Sequence, residues 1–168
     1  MKISNPIQVD NLLNILDQKP SQNIVHFSDG SHLLTKKLQQ FCQKIDSTYY
    51  LYTLKNVFYD KSKTKYAYTP HIHIVKFDLH SPSYRRQEIK YDYIISTLDF
   101  EEENKNDFLE KCAPILCKGG SIIIITADSH SRAGSAWPEV LKLHHYVSVN
   151  IIDTLLDNYT VIMAKCIR

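Results

Sequence analysis

Glycine is what this sequence lacks. It has four in 168 residues, where ordinary usage of about 7% would supply roughly twelve. Loops that wrap phosphates or nucleotides are usually built on clustered glycines, which let the backbone approach a ligand and adopt positive φ. Little glycine is available here for such a loop. There is no C-x-x-C pair, and the four cysteines (Cys42, Cys112, Cys117, Cys166) are scattered. They read as reduced thiols of a cytoplasmic protein. The apolar run Ile122–Ile125 falls far short of the roughly 20 residues a membrane helix needs. MKISNPIQVDN carries no apolar stretch of the secretory kind, so neither a signal peptide nor a membrane partner is expected. A net charge of +2 is too mild to argue for nucleic acid.

What is present is ordinary apart from eleven tyrosines: 43% of residues are hydrophobic and 23% charged. That balance excludes collagen-like and intrinsically disordered chains. It fits one domain over residues 1–168, long enough to bury roughly 70% of its unfolded surface. Val9, Leu12, Leu13 and Leu16 fall at helical spacing, predicting a lead-in helix within residues 1–20 that stops at Pro20-Ser21. NIVHF (23–27) is β-prone and breaks at Ser28-Asp29-Gly30-Ser31. Leu34, Leu38, Phe41 and Ile45 then mark a helical face, and TYYLYTL (48–54) reads as a strand. Strand, tight turn, helix and strand in this order make the βαβ unit of a parallel sheet.

Residues 55–70 place Val57-Phe58-Tyr59 and Tyr66-Ala67-Tyr68 around a polar tip with Lys61, Lys63 and Lys65. The pattern predicts a hairpin or long solvated loop rather than a helix. HIHIVKFDL (71–79) and YDYIIST (91–97) are further strands. An acidic opening at Glu101–Glu103 suits a helix N-terminus. Phe108, Leu109, Cys112, Ile115 and Leu116 give that helix a buried face, with Pro114 shortening it. Gly119-Gly120 stop the chain before SIIIIT (121–126), whose continuous apolar character suits a central strand covered on both faces. After the polar loop ADSHSRAGSA a helix starts near Trp137-Pro138. The segments 146–155 and 159–167 are separated by three residues, Leu156-Asp157-Asn158, so they can pair only antiparallel.

From Asn23 to Ile167 this order resembles the class I S-adenosylmethionine-dependent methyltransferases. The strand Tyr91-Asp92-Tyr93-Ile94-Ile95-Ser96-Thr97 and the turn Leu116-Cys117-Lys118-Gly119-Gly120 before SIIIIT carry the resemblance, together with the closing hairpin. It implies an α/β fold: a mostly parallel seven-stranded Rossmann-like sheet, helices on both faces, and an antiparallel C-terminal hairpin. It also implies an S-adenosylmethionine site after the first three strands. Ser28, Asp29 and Gly30 fall on the glycine-rich loop, Thr53 follows the second strand, Asp78 and Leu79 fall where the family contacts adenine, and Thr97 ends the fourth strand. The sequence departs from the family here. Ser28 and His32 replace two loop glycines, His26 replaces an acid, and Tyr52-Thr53-Leu54-Lys55-Asn56 has no carboxylate for the ribose. The Asn-Pro-Pro-Tyr pattern of amino-group methylation on bases is absent.

Several residues read two ways. Asp29-Gly30-Ser31 either binds an anion through free N–H groups or simply caps a helix. Asp99 is either a general base toward an attacking nucleophile or a cap. His130, in the polar loop with Arg132, faces the substrate edge. His71 and His73 alternate on one strand face, half of a zinc site at most; no metal is expected. His144-His145 complement a helix dipole. There is no G-x-S-x-G elbow and no G-x-G-x-x-G, which argues against hydrolase and dehydrogenase readings. Two functions stand. One is methyl transfer to a small molecule, with Asp99 and His130 at the substrate. The other is a catalytically silent module whose tyrosine-rich 55–70 segment meets a protein partner. Both are compatible with a homo-oligomer.

Overall fold

The computed structural model describes residues 2–54, 56–86, 88–127 and 136–167. The chain opens with α1 (Pro6–Leu13), started by Asn5, whose side chain accepts hydrogen bonds from the Ile7 and Gln8 amides. The helix ends sooner than its apolar spacing predicts, but Leu16 beyond it is still buried. Then come β1 (Asn23–Ser28), α2 (His32–Lys44), β2 (Thr48–Thr53), α3 (Asn56–Lys65), β3 (Ile72–Lys76), β4 (Tyr91–Ser96), α4 (Glu102–Cys112), β5 (Leu116–Thr126), α5 (Ala136–Leu143), β6 (Tyr146–Leu156) and β7 (Tyr159–Cys166).

The strands form one seven-stranded sheet in the order β3-β2-β1-β4-β5-β7-β6. β3, β2, β1, β4 and β5 run parallel, and β7 pairs antiparallel with both β5 and β6. The sequence-predicted hairpin therefore forms, with β7 inserted beside the apolar strand β5. Each central strand serves two cores. Ile24, Leu51, Ile95 and Ile123 face α1, α2 and α3, while Val25, Phe27, Ile94 and Ile122 face α4 and α5. Burial on both faces is what the unbroken run SIIIIT requires.

Two further details differ from the sequence expectations. The stretch 55–70 is not a hairpin or loop, because Asn56–Lys65 is helical. Only Phe58 and Ser62, spaced i and i+4, are buried in it, so it has the face of a helix with very little apolar content. Val57, next to buried Phe58, is exposed. The lysines lie on the solvated side, with the Lys63 Nζ 5.8 Å from the Tyr59 ring one turn back. Second, β5 starts at Leu116 rather than at Ser121. Tyr91 pairs with Leu116 and Tyr93 with Ser121, so Cys117–Gly120 bulges out of the ladder, and Gly119 has φ +75°. The parallel crossover from β3 to β4, a polar stretch with Pro82 and Arg85-Arg86, contains no helix among its described residues. It crosses as an irregular segment pinned by Tyr84, whose hydroxyl donates to the Leu79 carbonyl at 2.7 Å. Pro114 does end α4, in a single 3-10 turn, Ala113–Ile115.

Candidate site at the carboxyl edge of the sheet

Strand order reverses between β1 and β4, and ligands of open α/β sheets sit outside the carboxyl ends of strands at such a point. Ser28 ends β1, Thr53 ends β2, Asp78 lies two residues past β3, and Thr97 and Asp99 follow β4. The fold thus brings these predicted residues to one edge. His130, and the loop residues Asp128 and Arg132 with it, lie outside the described residues.

The β1–α2 loop is organised by its own side chains. Ser28 Oγ accepts from the Gly30 amide at 3.1 Å, and Asp29 Oδ1 accepts from the Ser31 amide at 3.2 Å. Gly30 has φ +111° and would set a Cβ 3.8 Å from Phe58. Space is therefore adequate there, and the backbone angle alone selects glycine. Ser31 occupies the N-cap of α2 but makes no capping bond with its side chain. Asp29 thus orders the loop without serving as the cap, a third role beside the two its sequence allowed.

Thr97 is fully buried, and its hydroxyl is spent inside the fold. It lies 3.2 Å from Asp29 Oδ1, 3.3 Å from the Asp29 amide and 3.1 Å from His26 Nε2. His26 Nδ1 in turn lies 2.9 Å from the Tyr49 hydroxyl. Burial lowers the His26 pKa from 6.5 to about 4, partly offset by the nearby Asp29 carboxylate, so the ring is neutral at pH 7. Burial also raises Tyr49 well above its ordinary value, which makes it a protonated donor. A consistent network follows. Tyr49 donates to Nδ1, Nε2–H donates to Thr97, and Thr97 donates to Asp29. Thr97 ties β4 to the β1 loop rather than facing the edge, and His26 holds the network where the family resemblance has an acid. The exchange of acid for histidine was visible in the sequence; its partners, 23 and 71 residues away, were not.

Two hydroxyls at this edge have no hydrogen-bond partner among the described residues although both are buried: Ser31 Oγ and Thr53 Oγ1. Leaving a polar group buried and unpaired costs about 1–3 kcal/mol. Asp78 is exposed, and its carboxylate accepts from the His80 amide at 3.0 Å, ordering the turn after β3. Leu79 is half-buried, and its carbonyl accepts from Tyr84 and from Lys111. Asp99 is exposed. Lys105, which no sequence pattern singles out, is 2% exposed in α4 with its Nζ 5.3 Å from the Trp137 ring. Phe100 meets that same ring edge-on at 5.4 Å.

The two strand histidines separate. His71 precedes β3 with φ +63° and lies 3.7 Å from an Asp46 carboxylate oxygen, whereas His73 stacks on Tyr50. Among the described residues no three His, Cys, Asp or Glu side chains group as metal ligands, and no helix is long and apolar enough to cross a membrane.

No protein-family model matches the sequence, and no curated protein matches it. Solved structures do. A SAM-dependent O-methyltransferase from Thermotoga maritima matches 100% of this chain and 68% of its own, with TM-score 0.76 and 15% identity. A TehB-like SAM-dependent methyltransferase from Corynebacterium glutamicum matches over 94% of this chain and 85% of its own, with TM-score 0.71 and 14% identity. The CurJ carbon methyltransferase matches over 95% of this chain, which spans only 52% of it, with TM-score 0.70 and 15% identity. This chain has the class I methyltransferase fold. At such identities the likeness establishes architecture, and activity has to be argued from the site.

The edge can be tested for fit to S-adenosylmethionine. Gly30 supplies the positive-φ turn, the orphaned Ser31 and Thr53 hydroxyls supply unused hydrogen-bonding capacity at the ends of β1 and β2, and Asp78 supplies an exposed carboxylate at the end of β3. The donor set fits in part: no carboxylate follows β2, so a ribose would meet a neutral hydroxyl and a weaker bond.

Proposed function

We propose that this protein is an S-adenosylmethionine-dependent methyltransferase acting on a small molecule. The observation that carries the reading is a pair of buried hydroxyls with no partner among the described residues, Ser31 Oγ at the start of α2 and Thr53 Oγ1 at the end of β2. A fold that leaves two such groups unpaired forfeits free energy that a polar ligand returns on binding. In this reading Ser28, Asp29 and Gly30 shape the loop, Thr53 meets a ribose hydroxyl, and Asp78 with Leu79 borders the adenine. Thr97 holds Asp29 in place. The cofactor, when bound, supplies an electrophilic methyl group. The chain contributes orientation, the largest part of such a rate enhancement, and Asp99 receives the proton released by the attacking nucleophile.

One observation favours the second reading, a catalytically silent module. Ser28 and Asp29 already satisfy the Gly30 and Ser31 amides, which a cofactor-binding loop would keep for the ligand. Calorimetry with S-adenosylmethionine and S-adenosylhomocysteine separates the two. At 100 times its dissociation constant a ligand stabilises the fold by about 2.7 kcal/mol. Thr53→Val gives the more specific signature. Removing an orphaned hydroxyl leaves the ligand-free protein as stable as before or more so, while affinity for the ligand falls. Absence of heat and of any thermal shift at millimolar ligand would leave the silent module standing.

A further inference from the structure

The helix-free crossover from β3 to β4 leaves part of the sheet open on the side that α4 and α5 cover elsewhere. A cavity of about 300 Å³ lies there, at the small end of ligand-sized sites. Its lining includes the hydroxyl-bearing rings of Tyr50, Tyr52 and Tyr91, with His73, Val75 and Arg86. Tyr52 and Tyr91 are buried, whereas Tyr50 is half-buried and His73 exposed, so the cavity deepens from an open rim to a closed aromatic floor. Its residues belong to β2, β3, the start of β4 and the crossover. It therefore lies along the sheet face, away from the carboxyl edge described above.

The geometry of the rings is already fixed. Tyr50 stacks on His73, with centroids 5.0 Å apart and planes 21° from parallel, and meets Tyr91 edge-on at 5.2 Å. The Tyr52 and Tyr91 hydroxyls lie 3.2 Å apart. Burial raises the pKa of both phenols, so each keeps its proton at pH 7. Their mutual bond uses one of the two protons, and the other remains for an acceptor. Arg86 donates to the Lys76 carbonyl at 3.2 Å, which holds its guanidinium at the rim. Among the described residues the lining includes no carboxylate. A positive rim, a phenolic donor and aromatic walls complement a flat, compact anion.

We propose that this cavity binds a monocyclic aromatic carboxylate, its ring packed against Tyr50 and Tyr91 and its carboxylate paired with Arg86. Aromatic rings prefer the offset and edge-on contacts these walls offer. The guanidinium presents a planar fork that matches a carboxylate. Neither the ring nor the charge suffices alone, which makes the site selective.

The test titrates the intact protein with benzoate, with phenol (ring without charge) and with acetate (charge without ring), in the absence of any S-adenosyl ligand. Calorimetry and the shifts of tyrosine ring protons are read in parallel. Benzoate should saturate, and phenol and acetate should each bind at least about tenfold more weakly. Arg86→Gln, an exposed substitution that gives up the hydrogen bond to the Lys76 carbonyl, should weaken benzoate by about tenfold, with the ligand-free variant still folding cooperatively in a thermal melt. Tyr50→Leu should remove the ring-proton shifts. Phenol binding as tightly as benzoate, or Arg86→Gln leaving the affinity unchanged, would overturn the proposal. So would a titration that does not saturate at millimolar benzoate. None of these outcomes depends on whether the carboxyl edge takes a cofactor.

Discussion

His26 shows how one residue can fix the pH behaviour of the molecule. Burial holds its pKa at about 4 against an ordinary 6.5. Between these values the unfolded chain binds a proton that the folded chain refuses. Stability is therefore complete above about pH 6.5 and falls with decreasing pH by about 1.4 kcal/mol per unit. The loss ends near pH 4, after roughly 3 kcal/mol in all. Urea denaturation at pH 7.5 and at pH 5 should reveal a difference of about 2 kcal/mol from this group. In His26→Asn that increment should vanish. Equal pH dependence in both proteins would mean that the imidazole charges without cost, and that the Tyr49–His26–Thr97–Asp29 network is not what closes the β1 loop. At this scale the sequence was informative about identity and silent about direction. It placed Thr97 and Asp29 at the correct strand ends. That Thr97 turns inward to His26 depends on β1 and β4 being neighbours in register, with Phe27 beside Ser96.

Elements were legible where one physical signal dominated. The spacing of Leu34 and Leu38 marked α2, SIIIIT marked the doubly covered β5, and a three-residue connection forced the antiparallel hairpin. The signal failed at α3, whose buried face is one phenylalanine and one serine, too little to set a period against its aromatic neighbours. It also blurred at the start of β5, where both glycines look like a helix stop. There the structure separates their tasks. Gly119 has φ +75° with nothing within 4 Å of an added Cβ, while Gly120 would place a Cβ 3.0 Å from the Asp92 and Cys117 carbonyl oxygens. Gly119→Ala should cost about 1–2 kcal/mol, the left-handed penalty alone. Gly120→Ala pushes on backbone from two sides in the bulge that sets the register of β5. Its cost should reach the upper part of the 1–3 kcal/mol range for overpacking. Thermal denaturation of the two variants checks the order. If Gly119→Ala is the worse, then the bulge tolerates the added methyl group and the angle, not the packing, governs this turn.

At the scale of the whole molecule, the two cores lie on opposite faces of the same strands. β1 gives Ile24 to one and Val25 and Phe27 to the other. Neither core can open while its strands keep the other intact, so unfolding should be cooperative across the chain. The cysteines report on this without any substitution. Cys42 lies in the α2 core, Cys112 and Cys166 lie in the α4–α5 core, and all three are buried. Burial pushes Cys42 up to about 12 and Cys112 well above its ordinary range, so their thiolates are scarce as well as shielded. Cys117, at the bulge, is only half-buried. A disulfide reagent should therefore modify one thiol of the folded protein and leave three. Those three should react at a common rate whose dependence on urea matches that of global unfolding. Labelling followed residue by residue in a mass spectrometer distinguishes the alternatives. If Cys112 and Cys166 react together and well before Cys42, then the α4–α5 layer detaches as a unit of lower stability. The helix-free crossover beside it, where the sheet already lies open, would be the place where that opening begins.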